Sequence, residues 1–158
     1  MYLSEVKGMD IIMTNNIKLK LKKGQYIELE ELLERMEILM FRDIMMSIAY
    51  ETESINVYGF LSYMIQKHKE EEWLKLTVDI MINPLCFIEG AYSIALFHTR
   101  QLLSINRNAE NLERLLFFYN IPEKLIDQKE AYCLAEELLC IEPDNKVALQ
   151  IKNSNFPH

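Results

Sequence analysis

Glycine and proline are scarce in this chain, four of each in 158 residues. Tight reversals lean on those residues, so a β-sandwich or any fold that turns every few positions is excluded. Cysteine is also sparse. Cys86, Cys133 and Cys140 form an odd set without framework spacing. They read as reduced thiols, buried within apolar helical patterns, in a reducing compartment. Basic residues are in the minority, with 17 Lys and Arg against 24 Asp and Glu, for a net charge of −7. That balance disfavours a general attraction to nucleic acid or to an anionic membrane. A basic protein is the natural complement. No stretch approaches the ~20 apolar residues that span a bilayer. Charges and polar residues interrupt residues 1–23 too often for a signal peptide. The expectation is a cytoplasmic protein.

The spacings that carry common chemistries are missing too. Neither C-x-x-C nor H-E-x-x-H occurs, and His68, His98 and His158 show no paired spacing on a helix. Glu89 and His98 lie nine positions apart, too far to share a metal without further ligands. Neither a G-x-S-x-G elbow nor a glycine-rich phosphate loop is present. Cys86 follows Pro84 among Leu85, Phe87 and Ile88, a setting for a buried, inert thiol. No cofactor and no enzymatic activity are expected. A small enzyme using Glu89, His98 or Cys86 is the minor reading.

What is abundant is Leu, Glu, Lys, Met and Ile, and all but Ile are strong helix formers. Apolar and aromatic residues make up half the chain and charged residues 26%, a composition for an ordinary globular core. Residues 17–30 alternate as a strand hairpin through Gly24 would. A helix ending at Lys23 with Gly24 as C-cap, followed by a long helix from about Ile27 through Met40, accounts for them better. Further helices are expected at 44–50, 55–69 and from Glu70-Glu71-Glu72 to the stop at Asn83-Pro84. In residues 88–105, Ala91, Tyr92, Ala95, Leu96, Thr99, Leu102 and Leu103 recur at helical spacing, with Ile94 and Phe97 opposite. A helix covered on two faces would look like this. Gly90, Ala91 and Ala95 would let a neighbour approach closely. Helices at 108–119, 131–140 and 144–151 complete the chain, Asp127 and Glu130 forming a capping-box-like pair before the second. The tail at about 153–158 reads as frayed.

An internal repeat appears at an offset of 36. Ala95, Thr99, Leu102-Leu103 and Ile105 align with Ala131, Ala135, Leu138-Leu139 and Ile141. A period of that length marks a helical-hairpin solenoid, in which each unit buries its apolar face on the next. Residues 130–145, with Ala131 and Ala135 and then Pro143-Asp144-Asn145, resemble the second helix and turn of a tetratricopeptide repeat. The usual Trp, Gly and Tyr of that repeat's first helix are absent, which makes this a divergent form. Residues 82–92 and 115–123 resemble small bacterial helical proteins that give immunity to toxins of interbacterial competition. That resemblance implies a protein that stays in the producing cell and plugs a toxin's active site, with fold alone not fixing function.

The fold expected is therefore all-α, a single domain over 1–158 of about eight helices in antiparallel hairpins. They stack as a short right-handed α-solenoid with a shallow groove, tetratricopeptide-like at its C-terminal end. Three acidic clusters stand out: Glu28 to Glu37, Glu70 to Glu72, and Glu136 to Asp144. Each reads as a solvated face by itself, or as a surface docking a basic toxin domain such as a nuclease. Aromatic residues are core by default and also anchor interfaces. Phe117-Phe118-Tyr119 cannot all face one core, since consecutive helical positions diverge by about 100°. Trp73 beside three glutamates suits a rim. The candidate partner-binding residues are Glu70, Glu71, Glu72, Trp73, Glu89, Tyr92, His98 and Phe118. An adaptor or peptide-binding scaffold without inhibitory role is the alternative.

Overall fold

The computed structural model describes residues 2–154, with side chains from residue 11 onward; His158 and the end of the expected frayed tail lie outside them. Among these residues the chain forms nine helices and no strand. They gather into two compact units, Met1–Glu89 and Gly90–His158.

The first unit holds α1 (Tyr2–Lys23), α2 (Tyr26–Leu33), α3 (Ile38–Thr52), α4 (Asn56–His68) and α5 (Glu71–Ile82). Helix α1 ends on Lys20, Lys22 and Lys23, cations suited to the negative end of the helix dipole. Gly24 follows at φ 66°, so the two-helix reading of residues 17–30 holds and the hairpin does not. The long helix expected from Ile27 to Met40 is instead broken between Leu33 and Ile38. The local charge disfavours a continuous helix there. Glu30, Glu31 and Glu34 crowd the C-terminal turn of α2, where acids oppose the dipole. The break moves Glu37 to the N-cap of α3, an extended residue at the favourable end.

Aromatic rings fill the centre of this unit. Phe41 of α3 meets Phe60 of α4 and Trp73 of α5 edge-on, at centroid distances of 6.0 and 5.9 Å. Tyr26 of α2 meets Phe60 at 5.7 Å. Ile17, Leu29, Met45, Ile48 and Leu61 complete the shell with almost no exposure. Trp73 is thus a core residue and not a rim residue, since its place on α5 points it at Phe41.

One carboxylate lies inside. Glu30 is 7% exposed and accepts hydrogen bonds from Tyr63 Oη (2.8 Å), Lys67 Nζ (2.6 Å) and His68 Nε2 (2.5 Å) on α4. The bond from Lys67, reinforced by those from Tyr63 and His68, holds its carboxyl at about 2 despite burial. The sign follows directly. The folded value lies below the unfolded one, so the stabilisation is present above pH 4.5 and is lost as pH falls toward 2. Replacing Glu30→Gln should cost roughly 1–2 kcal/mol at pH 7, toward the low end because Lys67 is half-exposed and screened. In urea titrations at several pH values, the gap between the two proteins should close progressively below pH 5.

The second unit holds α6 (Ala91–Ile105), α7 (Ala109–Asn120), α8 (Gln128–Ile141) and α9 (Lys146–Ser154), packed in sequence as hairpins. Side chains start three of them. Asn108 accepts from Asn111 N, Asp127 from Glu130 N, and Asn145 from Ala148 N. The 36-residue repeat is structural. Ala95, Thr99 and Leu102 are fully buried, as are Ala131, Ala135 and Leu138. Helices α6 and α8 close with the same bond, Asn106 N to Leu102 O and Glu142 N to Leu138 O, both 2.8 Å. Gly90 does not serve the close approach expected of it, because nothing lies near the place a Cβ would occupy. Its φ of 83° makes the turn into α6 instead, and Ala91 and Ala95 provide the close packing.

Candidate protein-binding site

Charge pairing separates the acidic clusters. In the first, Glu28 pairs with Lys20 and Glu30 with Lys67. In the second, Glu71 and Glu72 lie 3.6 and 3.4 Å from Lys75, one and the same cation. In the third, Glu136 pairs with Lys152, and Arg107 grips both oxygens of Glu137 at 2.5 and 2.6 Å. Arg107 accordingly holds the Glu137 carboxyl below its ordinary range, and Glu137 raises the guanidinium in return. Arg100 of α6 on Glu130 of α8 repeats the arrangement seven residues earlier in both segments. Arg107 lies two residues past the end of α6, and the two pairs run in the same direction, so the chain through α6 and its C-terminal turn runs parallel to α8, bridged by a two-rung ladder.

Four acids are left over in one place. Glu31, Glu34, Glu37 and Asp43 are exposed and make no side-chain hydrogen bond or ion pair to any described residue. Within residues 31–43 the cations are Arg35 and Arg42, and Arg42 is committed to Asp79 of α5. The same stretch presents apolar side chains to water. Helix α3 turns Phe41, Met45, Ile48 and Ala49 inward, which leaves Ile38, Leu39 and Met40 outside at 45%, 69% and 41% exposure. Met40 and Ile44 form an i, i+4 stripe there. With Thr14 of α1 they line an open cleft of about 620 Å³ rimmed by Glu37 and Asp43. Large apolar groups gathered beside unmatched charge mark a contact surface more than scattered ones do.

The eight residues singled out from the sequence do not assemble into such a surface. Trp73, His98 and Phe118 are buried, at 5%, 4% and 0% exposure, and have no face left for a partner. The indole N–H of Trp73 finds no hydrogen-bond partner there. His98 Nδ1 donates to Gln101 Oε1 at 2.8 Å and its ring meets Phe97 edge-on. Burial pushes its pKa down, and the bond to Gln101 offsets this in part. Tyr92 is half-buried against Phe117. Glu70, Glu72 and Glu89 are exposed and Glu71 half-exposed. Of Phe117-Phe118-Tyr119 only Phe118 is buried. Phe97, expected on a covered second face of α6, stands out in solvent with Ile105. The signal for 38–40 was the one applied to 117–119: three consecutive large apolar residues cannot share one core.

The thiols also differ from expectation. Cys133 and Cys140 are exposed, seven residues apart on α8, and Cys86 is half-buried. Cys133 and Cys140 lie off the stripe of Ala131, Leu134, Ala135 and Leu138 that packs inward. Cys86 and His98 fall in different units. Among the described residues no group of three or more His, Cys, Asp or Glu is placed to hold a metal, and no helix is long and apolar enough to cross a membrane. Compared with protein-family models, with curated proteins and with solved structures, the chain matches none.

Burial separates core aromatics from surface ones in a way that stability can test. Phe118→Ala should lower the unfolding free energy by roughly 3–5 kcal/mol. Phe97→Ala should change it by no more than about 0.5 kcal/mol. Equilibrium urea unfolding of both variants measures the contrast.

Proposed function

We propose that this protein is an immunity-type inhibitor that binds a basic bacterial toxin domain and occludes its active surface. The observation supporting this reading is the surface at residues 31–43, where four acids without internal partners adjoin exposed Ile38, Leu39 and Met40. Unmatched acids steer a basic protein into encounter and suppress wrong partners. Apolar side chains beside them supply the desolvated centre that holds it. The resemblance of residues 82–92 and 115–123 to immunity proteins gives the class. Occlusion needs no catalytic group, cofactor or membrane span, only a preorganised scaffold.

A second reading rests on a different feature. The ladder between α6 and α8 borders a cleft of about 400 Å³ lined by Arg100, Leu103, Arg107, Leu134 and Glu137. A tetratricopeptide-like adaptor would take a peptide segment there, without inhibiting anything.

Co-expression with a candidate basic toxin domain separates the two, since an inhibitor restores growth and an adaptor does not. The combined substitution Glu31→Lys, Glu34→Lys and Glu37→Lys should slow association with that domain by about tenfold or more at low salt. The deficit should largely vanish near 0.5 M salt, where screening lengths are about 4 Å. Stopped-flow association at several salt concentrations reads both numbers. Association rates indifferent to salt and to the substitutions would remove the electrostatic basis of the proposal.

A further inference from the structure

The cleft beside α3 has a chemistry that selects its occupant. Its floor is apolar, Met40 and Ile44 with Leu39 at the edge, and its rim carries Glu37 and Asp43. Neither acid is ion-paired with a described residue, the cations of the stretch being Arg35 and the Asp79-bound Arg42, and Glu31 and Glu34 extend the same sign along α2 and the turn into α3. An occupant must therefore be apolar at its centre and positive at its margins.

We infer that this cleft seats an amphipathic segment of the basic partner, one that presents an apolar side chain flanked by Lys or Arg. This deepens the inhibitor reading and rests on it for the partner's character. Two other occupants fail on charge. A second copy docking through the same face would be related by a twofold axis, which brings each surface patch against itself. The patch carries Glu31, Glu34, Glu37 and Asp43 against Arg35 and an Arg42 already bound to Asp79, so two copies of it would oppose net like charge. An anionic lipid surface would be repelled by the same rim. A small apolar ligand also fits poorly, because Leu39, Met40, Asp43 and Ser47 are themselves exposed and would leave one side of it in water.

The segment's binding energy divides between floor and rim. Covering Leu39 and Met40 supplies the hydrophobic part and sets how slowly the segment leaves. Pairing at Glu37 and Asp43, on the solvent-accessible margin, sets encounter and salt dependence more than residence. The two contributions respond to different substitutions.

The test uses the whole protein with ¹³C-labelled Met and Ile methyl groups and two short helical peptides sharing one leucine face. One carries Lys on its polar face, the other Glu. The Leu/Lys peptide should move the Met40 and Ile44 methyl signals saturably, and the Leu/Glu peptide should leave them in place. Leu39→Ser with Met40→Ser should weaken the Leu/Lys peptide by about tenfold at any salt concentration. Glu37→Gln with Asp43→Asn should weaken it by a similar factor at low salt alone. Equal response to both peptides, shifts confined to other methyls, or unchanged affinity in both variants would overturn the inference. So would a Met40 signal that moves on simple dilution, the mark of a second copy. The outcome for the inhibitor reading is separable. Toxin neutralisation that survives Leu39→Ser with Met40→Ser sinks the cleft and keeps the inhibitor. Peptide docking at Met40 in a protein that neutralises no toxin sinks the inhibitor and keeps the cleft.

Discussion

A helix of eight to fifteen residues gains too little from its own hydrogen bonds to persist in water, and α2 through α9 all fall in that range. Each exists because a neighbour covers one of its faces, and the two units meet that requirement differently. The second uses small residues. Ala91, Ala95, Ala131, Ala135 and Ala148 are buried, which lets backbones approach and lets a 36-residue pattern be reused. The first uses large ones, with Tyr26, Phe41, Phe60 and Trp73 meeting edge to face. Rings of that size fix a particular arrangement and cannot be repeated along a stack. The repeat signal accordingly stops where the aromatic cluster begins.

Polar groups follow from the same constraint. Glu30 sits on a two-turn helix that must lie against α4, and a carboxylate there is tolerable only with donors around it. Tyr63, Lys67 and His68 supply them from successive turns of α4, so the group that would have cost most becomes the tie between the two helices. The ladder of Arg100 and Arg107 on Glu130 and Glu137 is different in kind. Its members are largely exposed, and exposed pairs contribute little stability. It ties α6, through Arg100, and the turn that follows it, through Arg107, to one face of α8.

Much of this architecture was legible. Caps at Asp127 and Gly24, the proline stop after Asn83 and the alanine stripe of the repeat are local signals read by local rules. The misses have physical causes. Helices α3 and α4 end on Glu53 and Lys69 in the left-handed region, at φ 49° and 52°, where no glycine announces the turn. The break after Leu33 carries neither proline nor glycine, and the repulsion that favours it is spread over several acids. The candidate site was harder still. Trp73 looked like a rim residue because its sequence neighbours are glutamates, yet burial is set by helical phase, and its phase turns it toward Phe41. Acidic clusters look alike in a sequence. Only the spatial position of Lys20, Lys67, Lys75, Arg107 and Lys152 distinguishes the acids that are answered from those that are not.

The exposed apolar residues can be sorted by the same reasoning. Ile105 and Ile141 occupy equivalent positions of the repeat and are exposed to the same degree, 52% and 51%. An exposure that recurs with the repeat follows from its geometry, since the residue three past Leu102 or Leu138 is the last of its helix in each copy. It needs no partner to account for it. Ile38, Leu39 and Met40 have no such counterpart. They lie at the start of α3, after a break that carries neither proline nor glycine. Two of the acids at that break, Glu31 and Glu34, also belong to the unmatched set beside them, whereas Glu30 is held by Lys67, Tyr63 and His68.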